Sequence, residues 1–281
     1  MKRQDVYALF EKMISVAENE LVGYTKAAEL SVDKKADKSV VTSCDKRIDK
    51  KLSDIAVSAG FQVVSEEGEH VLDIVKSGNY VTIDPIDGTL GYVDYVNYAI
   101  ENGGLQNFLQ KDLGPLSDFC LLIGVVVDSV PRFGCCYNFI TKEKILIDGE
   151  DKNSLVRENN VRNYSGENAV YVDQRLGGML EKELVSMPHT TVIKQAALGL
   201  KSLYTIINPH SSAITLHTVQ SAGLWDILPA AVAARAMGAD VYDADGNPLK
   251  LNEYIVLPGT GAVIVKGELF SFILNRIRMM R

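Results

Sequence analysis

Apolar positions first recur at helical spacing: Val6, Leu9, Phe10, Met13, Ile14, Ala17 and Leu21 give one buried face to a helix expected over about 5–30. The polar stretch 33–39 (DKKADKS) then predicts a charged loop. A second stripe, Ile48, Leu52, Ile55, Ala56 and Ala59, predicts a helix opened by Thr42 or Ser43 as N-cap and closed at Gly60. The period changes at 61–64 and 80–83, two short β-branched runs that read as strands. The first leads into Ser65-Glu66-Glu67-Gly68 and the second ends at Asp84, so both deliver acidic residues where the chain leaves a sheet.

From Thr89 to about Asp118 the chain is rich in Tyr, Asn and Gly and shows no clear period. The runs 120–127, 132–138 and 143–147 then predict an antiparallel meander, with turn signals at Asp128-Ser129 and Pro131. After a polar segment, 151–166, strands are expected at 169–172, 191–194, 213–216, 240–242 and 262–265, with helical patterns between several of them. That alternation predicts two parts, an N-terminal α+β half over 1–149 and a C-terminal α/β half over 150–281.

Composition excludes several classes. A length of 281 residues suits two fused layers or domains, and 47% hydrophobic with 23% charged residues argues against disorder. The net charge of −7 disfavours nucleic acid or an anionic membrane as partner. No apolar run is long enough to span a membrane and the start is amphipathic, so a cytoplasmic protein is expected. Cys44, Cys120, Cys135 and Cys136 lack C-x-x-C spacing and are expected as buried free thiols, with Cys135 and Cys136 on opposite faces of one strand. His70, His189, His210 and His217 form no H-x-x-x-H pair, which disfavours zinc.

The strongest chemical signal is Val81-Thr82-Ile83-Asp84-Pro85-Ile86-Asp87-Gly88-Thr89. A strand delivers Asp84, Pro85 fixes the turn, Asp87 returns to the same side, Gly88 permits close approach of a ligand, and Thr89 adds a hydroxyl. Two carboxylates so placed repel unless a cation lies between them, and all-oxygen donors favour a hard ion such as Mg²⁺. The plainer reading is an Asp-Pro turn capped by Gly-Thr. A haloacid dehalogenase-type motif, D-x-D-G-T, is disfavoured because two residues, Pro85 and Ile86, separate the aspartates here.

The string Asp84-Pro85-Ile86-Asp87-Gly88-Thr89 resembles the signature of the inositol monophosphatase superfamily, and three further segments match in order. Val64-Ser65-Glu66-Glu67 looks like its strand-end acidic pair, Lys38 to Asp45 (K-x-x-V-T-x-x-D here) is similar to its segment of a lysine followed by V-T-x-x-D, and Trp225-Asp226 looks like its W-D-x-x-A signature. The resemblance implies a layered αβαβα sandwich of the inositol monophosphatase and fructose-1,6-bisphosphatase type. It implies a site at the junction of the halves that holds two or three Mg²⁺ through Glu66, Asp84, Ile86, Asp87 and Asp226. Asp45 and Thr89 would orient and deprotonate the attacking water, and Gly88 and Thr89 would lie against the substrate. Lithium inhibition and a homodimer are further family expectations.

Substrate is less marked. Inositol monophosphatases carry an acidic residue seven places before the W-D aspartate, where this chain has Val219. The segment Ala197 to Leu203 resembles the inositol polyphosphate 1-phosphatase branch, which makes Lys201 and Ser202 candidate substrate contacts. Thr89-Leu90-Gly91-Tyr92 is similar to the 3′(2′),5′-bisphosphate nucleotidases, which act on 3′-phosphoadenosine 5′-phosphate. The expected activity is Mg²⁺-dependent hydrolysis of a small phosphorylated metabolite, an inositol mono- or polyphosphate first and the adenosine bisphosphate as alternative. A non-enzymatic metabolite-binding or interaction module is the alternative of another class.

Overall fold

The computed structural model describes residues 2–27, 32–34, 40–101, 118–159, 168–173, 179–186, 190–195, 197–207, 214–216, 222–239, 241–243, 247–251, 253–255 and 262–265. The chain opens with helix α1 (Arg3–Ala27), a short hairpin of β1 (Val32–Lys34) and β2 (Val40–Thr42), and helix α2 (Ser43–Ser58). Asp33 and Lys34, expected in a loop, lie in a strand instead, opposite Val41 and Val40. Their polar side chains carry no apolar alternation, so the pairing had no signature in the sequence.

Next come β3 (Gln62–Ser65), α3 (Leu72–Ser77), β4 (Tyr80–Asp87) and α4 (Thr89–Glu101). The segment after Thr89 is therefore helical in its first part, a correction to the absence of a period. Gly91, Tyr92, Val96 and Ala99 are its buried positions, while Leu90 and Ile100 are apolar yet exposed, which blurs the stripe. The meander follows as β5 (Cys120–Val127), β6 (Val130–Asn138) and β7 (Lys144–Asp148), joined by β8 (Asp151–Glu158). Asp128 and Ser129 turn the first hairpin with φ of 50° and 63°, as the short polar turn required.

These strands form a six-stranded sheet in the order β3-β4-β5-β6-β7-β8, with only β3 and β4 parallel. Because β8 pairs with β7, the first sheet reaches Glu158. The remaining elements are β9 (Asn168–Asp173), α5 (Met179–Ser186), β10 (Thr190–Gln195), α6 (Leu198–Ile207), β11 (Ile214–Leu216), α7 (Leu224–Met237), β12 (Val241–Asp243) and β13 (Ala262–Val265). The second sheet runs β10-β9-β11-β13-β12.

Strand alternation sorts the two faces of the first sheet. Leu121, Ile123, Val125, Phe133, Cys135 and Tyr137 point to α1 and α2, where Phe10, Met13, Ile48 and Leu52 meet them. Cys120, Leu122, Cys136, Ile145 and Ile147 point the other way, to α6 and α7, with Tyr171 of β9 and Ile193 of β10 closing that core from the second sheet. The layers are thus helices α1 and α2, sheet, helices α6 and α7, sheet, with α5 packed on β10: a mixed α+β fold. Cys135 and Cys136 do take opposite faces, and all four cysteines are buried and free. Among the described residues no helix is long and apolar enough to cross a membrane.

Candidate metal centre

Strand β4 is buried along its whole length and carries Asp84 and Asp87 at its end. Its register against β5 breaks between these two residues, which lets both carboxylates leave the ladder on one side. The Ile86 amide donates to Asp84 Oδ1 at 3.0 Å. Gly88 follows at φ +90°, and a Cβ there would stand 2.8 Å from the Asp118 carbonyl oxygen, so only glycine lets the chain turn directly into α4.

Three helix starts converge on this strand end. Asp45 is the third residue of α2, and its Oδ2 accepts from the amide of the N-cap Thr42 at 2.9 Å and also from the Thr42 hydroxyl. Its other oxygen, Oδ1, lies 3.1 Å from Thr89 Oγ1, which also stands 3.1 Å from the Ile86 carbonyl. One hydroxyl proton serves either acceptor. Asp226 occupies the same third position in α7 and accepts from the Gly223 amide at 2.6 Å. Asp87 faces the start of α6, where its oxygens accept from the amides of Leu198 at 2.8 Å, Gly199 at 2.7 Å and Leu200 at 3.2 Å. Each helix dipole presents its positive end to a carboxylate, which favours negative charge there.

The result is a compact acidic cluster: one carboxylate oxygen from each of Asp84, Asp87 and Asp226 lies within 4.8 Å of the others. Burial, together with the charges of Glu66, Asp87 and Asp226, pushes Asp84 well above the usual carboxylate range. Asp87 rises to about 6 through burial, held down by the α6 amides and by the positive charge of Lys201. Asp45 rises to about 7, mainly through burial. Carboxylates forced upward by burial and by one another form a site whose electrostatics call for a cation, and donors that are all oxygen suit a hard one.

Glu66, half-buried and just past the end of β3, is held by its amide donating to the Ile83 carbonyl at 3.0 Å. Its carboxyl group is hydrogen-bonded with Asp84, placing it at the edge of the cluster. The Ile86 side chain is in the core, so only its main chain faces the site. Lys201 and Ser202 are both fully buried, and the Ser202 hydroxyl donates to the Leu198 carbonyl at 2.8 Å. The positive charge of Lys201 acts on Asp87. The amides of Leu198, Gly199 and Leu200 are the part that sequence reading missed. Gly199 was the available signal, since a Cβ there would stand 2.7 Å from the Asp226 carbonyl oxygen and 3.2 Å from Asp87 Oδ2. Val219 and the three histidines His189, His210 and His217 lie outside the described residues.

The fold and site together define a protein of layered helices and sheets with a carboxylate cluster where the end of β4 meets the starts of α6 and α7. The profile of the inositol monophosphatase family matches residues 2–269. The chain belongs to that family, whose members are phosphatases that hydrolyse phosphomonoesters. Among solved structures, an IMPase/NADP phosphatase complexed with NADP and Ca²⁺ is similar with a TM-score of 0.71 at 15% identity, over 98% of this chain and 95% of that one. Thermotoga maritima IMPase gives 0.68 at 17% identity, over 99% and 98%. A Staphylococcal inositol monophosphatase-1, in an inhibitory complex soaked in LiCl, gives 0.70 at 15%, over 98% and 95%. A search of curated proteins returns no match.

Proposed function

We propose that this protein is a Mg²⁺-dependent phosphomonoesterase whose substrate is an inositol phosphate. The observation that carries the proposal is the cluster of Asp84, Asp87 and Asp226 beside the Asp45–Thr89 pair. Glu66, Asp84, Asp87 and Asp226, with the main chain at Ile86, are the residues that would hold the metal. When bound, Mg²⁺ supplies Lewis acidity that offsets phosphate charge and makes a nearby water more acidic.

The chain's own part is proton handling and orientation. Thr89 Oγ1, when it donates to Asp45 Oδ1, turns a lone pair outward and accepts a proton from the attacking water. Asp45 Oδ1 takes the Thr89 hydroxyl proton in the same step, so the threonine oxygen never carries two protons. The elevated affinity of Asp45, near 7, suits a general base working close to neutral pH, and Thr42 fixes the carboxylate so that Oδ1 faces the threonine. The turn at Gly88 allows the phosphate to approach the main chain at the start of α4.

Lys201 gives little support to a second-phosphate contact, because its side chain is enclosed beside Asp87. That favours a singly phosphorylated substrate over a bisphosphate. The relatives described as IMPase/NADP phosphatases motivate a 2′-phosphorylated dinucleotide as a second candidate. The experiment is phosphate release from inositol 1-phosphate, inositol 1,4-bisphosphate, 3′-phosphoadenosine 5′-phosphate, NADP and fructose 1,6-bisphosphate, with Mg²⁺ and with EDTA. Inositol 1-phosphate is expected to turn over fastest, only with Mg²⁺. Turnover that survives EDTA, or a panel in which no inositol phosphate is hydrolysed, would overturn the proposal.

A further inference from the structure

One side chain connects the two acidic arms of the site without belonging to either. His70 Nε2 lies 3.2 Å from the carbonyl oxygen of Ser65, the residue before Glu66. A carbonyl only accepts, so this ring nitrogen carries the hydrogen. The same imidazole lies against the indole of Trp225, the residue before Asp226, with ring centroids 4.8 Å apart and planes 31° from parallel. That distance and tilt make an offset aromatic contact.

Both anchors are firm. Ser65 is buried and its hydroxyl donates to Asp49 Oδ2 at 3.1 Å, while the next amide, that of Glu66, donates to the Ile83 carbonyl at 3.0 Å. Trp225 is only 4% exposed and packs with Val64, Ile227 and Leu228 in the core beneath the ring. His70 itself is exposed and closes this core at the surface. It ties the end of β3, which carries Glu66, to the start of α7, which carries Asp226.

We propose that His70 is a positioning residue for the metal centre, a latch that sets the distance between the Glu66 strand end and the Asp226 helix start. The proposal rests on the reading of Glu66, Asp84 and Asp226 as metal ligands. Outer partners that orient ligands without touching the metal typically alter its affinity by one to two orders of magnitude. Loosening the latch frees Glu66 and Asp226 to move apart, so it acts on cation affinity and leaves the Asp45–Thr89 pair in place.

Trp225 is the sole tryptophan of the chain, which gives the latch its own readout. The full chain is titrated with Mg²⁺ by calorimetry and by indole emission, for the wild type and for His70→Ala, His70→Phe and His70→Gln. His70→Ala is expected to raise the Mg²⁺ midpoint about tenfold. His70→Phe retains the ring contact, His70→Gln retains a donor, and both are expected between the two extremes. In turnover, the Mg²⁺ requirement of His70→Ala shifts by the same factor while kcat recovers at saturating Mg²⁺. A His70→Ala midpoint that overlays the wild type overturns the latch alone. A wild-type chain that gives no Mg²⁺ response overturns the metal-site reading beneath it as well. If His70→Ala is poorly folded, the Phe and Gln variants decide: wild-type midpoints in both overturn the proposal, and raised midpoints in both support it.

Discussion

Asp84 shows most directly how this site trades stability for function. It is buried among Glu66, Asp87 and Asp226, and all three charges work against its ionised form. Asp84→Asn removes one of the repelling charges at nearly constant volume. The metal-free variant is expected to melt at a higher temperature than the wild type at pH 8, and Mg²⁺ is expected to add no further stability. Melting scans with and without Mg²⁺ check this, and a lower metal-free melting temperature would contradict the account of the cluster. Thr89→Val tests the proton path, because it deletes the hydroxyl bonded to Asp45 and keeps the shape. Its kcat should fall about 10²- to 10⁴-fold while Mg²⁺ affinity stays within about threefold. A kcat within tenfold of the wild type would remove Thr89 from the relay.

At the scale of elements, the site is a meeting of one strand end with the starts of α2, α6 and α7. The sequence showed one start directly, since Asp45 follows the expected N-cap Thr42 or Ser43, and it marked Asp226 only through the W-D segment; in the structure each carboxylate sits at a third position and reaches back to its N-cap amide. The third start was hidden. Every residue of α6 from Leu198 to Ile207 is buried, because the helix lies between two sheets and has no solvent face. The groups that α6 offers to the site are backbone amides, which leave no mark in the pattern of side chains. Lys201 and Ser202 became candidate substrate contacts through the resemblance of Ala197 to Leu203 to the inositol polyphosphate 1-phosphatase branch, and both side chains are buried in α6. Gly199→Ala tests the close approach of α6 to the centre. The added methyl would stand 2.1 Å from Leu122 Cδ1 and 2.7 Å from the Asp226 carbonyl oxygen, and the second contact is backbone that cannot swing away. A loss of about 1–3 kcal/mol is expected in chemical denaturation, together with weaker Mg²⁺ binding. An unchanged denaturation midpoint would mean that α6 sits further from α7 than the structure places it.

Across the whole molecule, the raised carboxylates link stability to pH in a direction opposite to ordinary acid denaturation. In the unfolded chain Asp titrates near 4. Folded Asp87 and Asp45 hold their protons up to about 6 and about 7, and Asp84 also holds its proton above the usual range. Between those limits the folded state binds more protons than the unfolded one, so their contribution is full below about pH 4 and is lost as pH rises to about 7. The metal-free protein is therefore expected to lose stability from about pH 4 to about pH 7. Added Mg²⁺ should restore more of it at the upper end, where the carboxylates are ionised and able to bind. Denaturant titrations at several pH values, in EDTA and in Mg²⁺, measure both slopes. Metal-free stability that rises over that interval would show that other groups dominate the linkage.

The sequence by itself determined the periodic elements, the meander, the opposite facing of Cys135 and Cys136, and the local motifs that carry Asp45, Glu66, Asp84, Asp87, Thr89 and Asp226. These follow from side-chain spacing and capping chemistry within a few residues, where the chain's geometry is fixed by its own covalent path. Only the tertiary structure decided that three helix starts aim at one strand end, that the amides of Leu198, Gly199 and Leu200 donate to Asp87, and that His70 touches both Ser65 and Trp225. Those contacts join residues far apart in the chain, and nothing in the local pattern of either partner records the other.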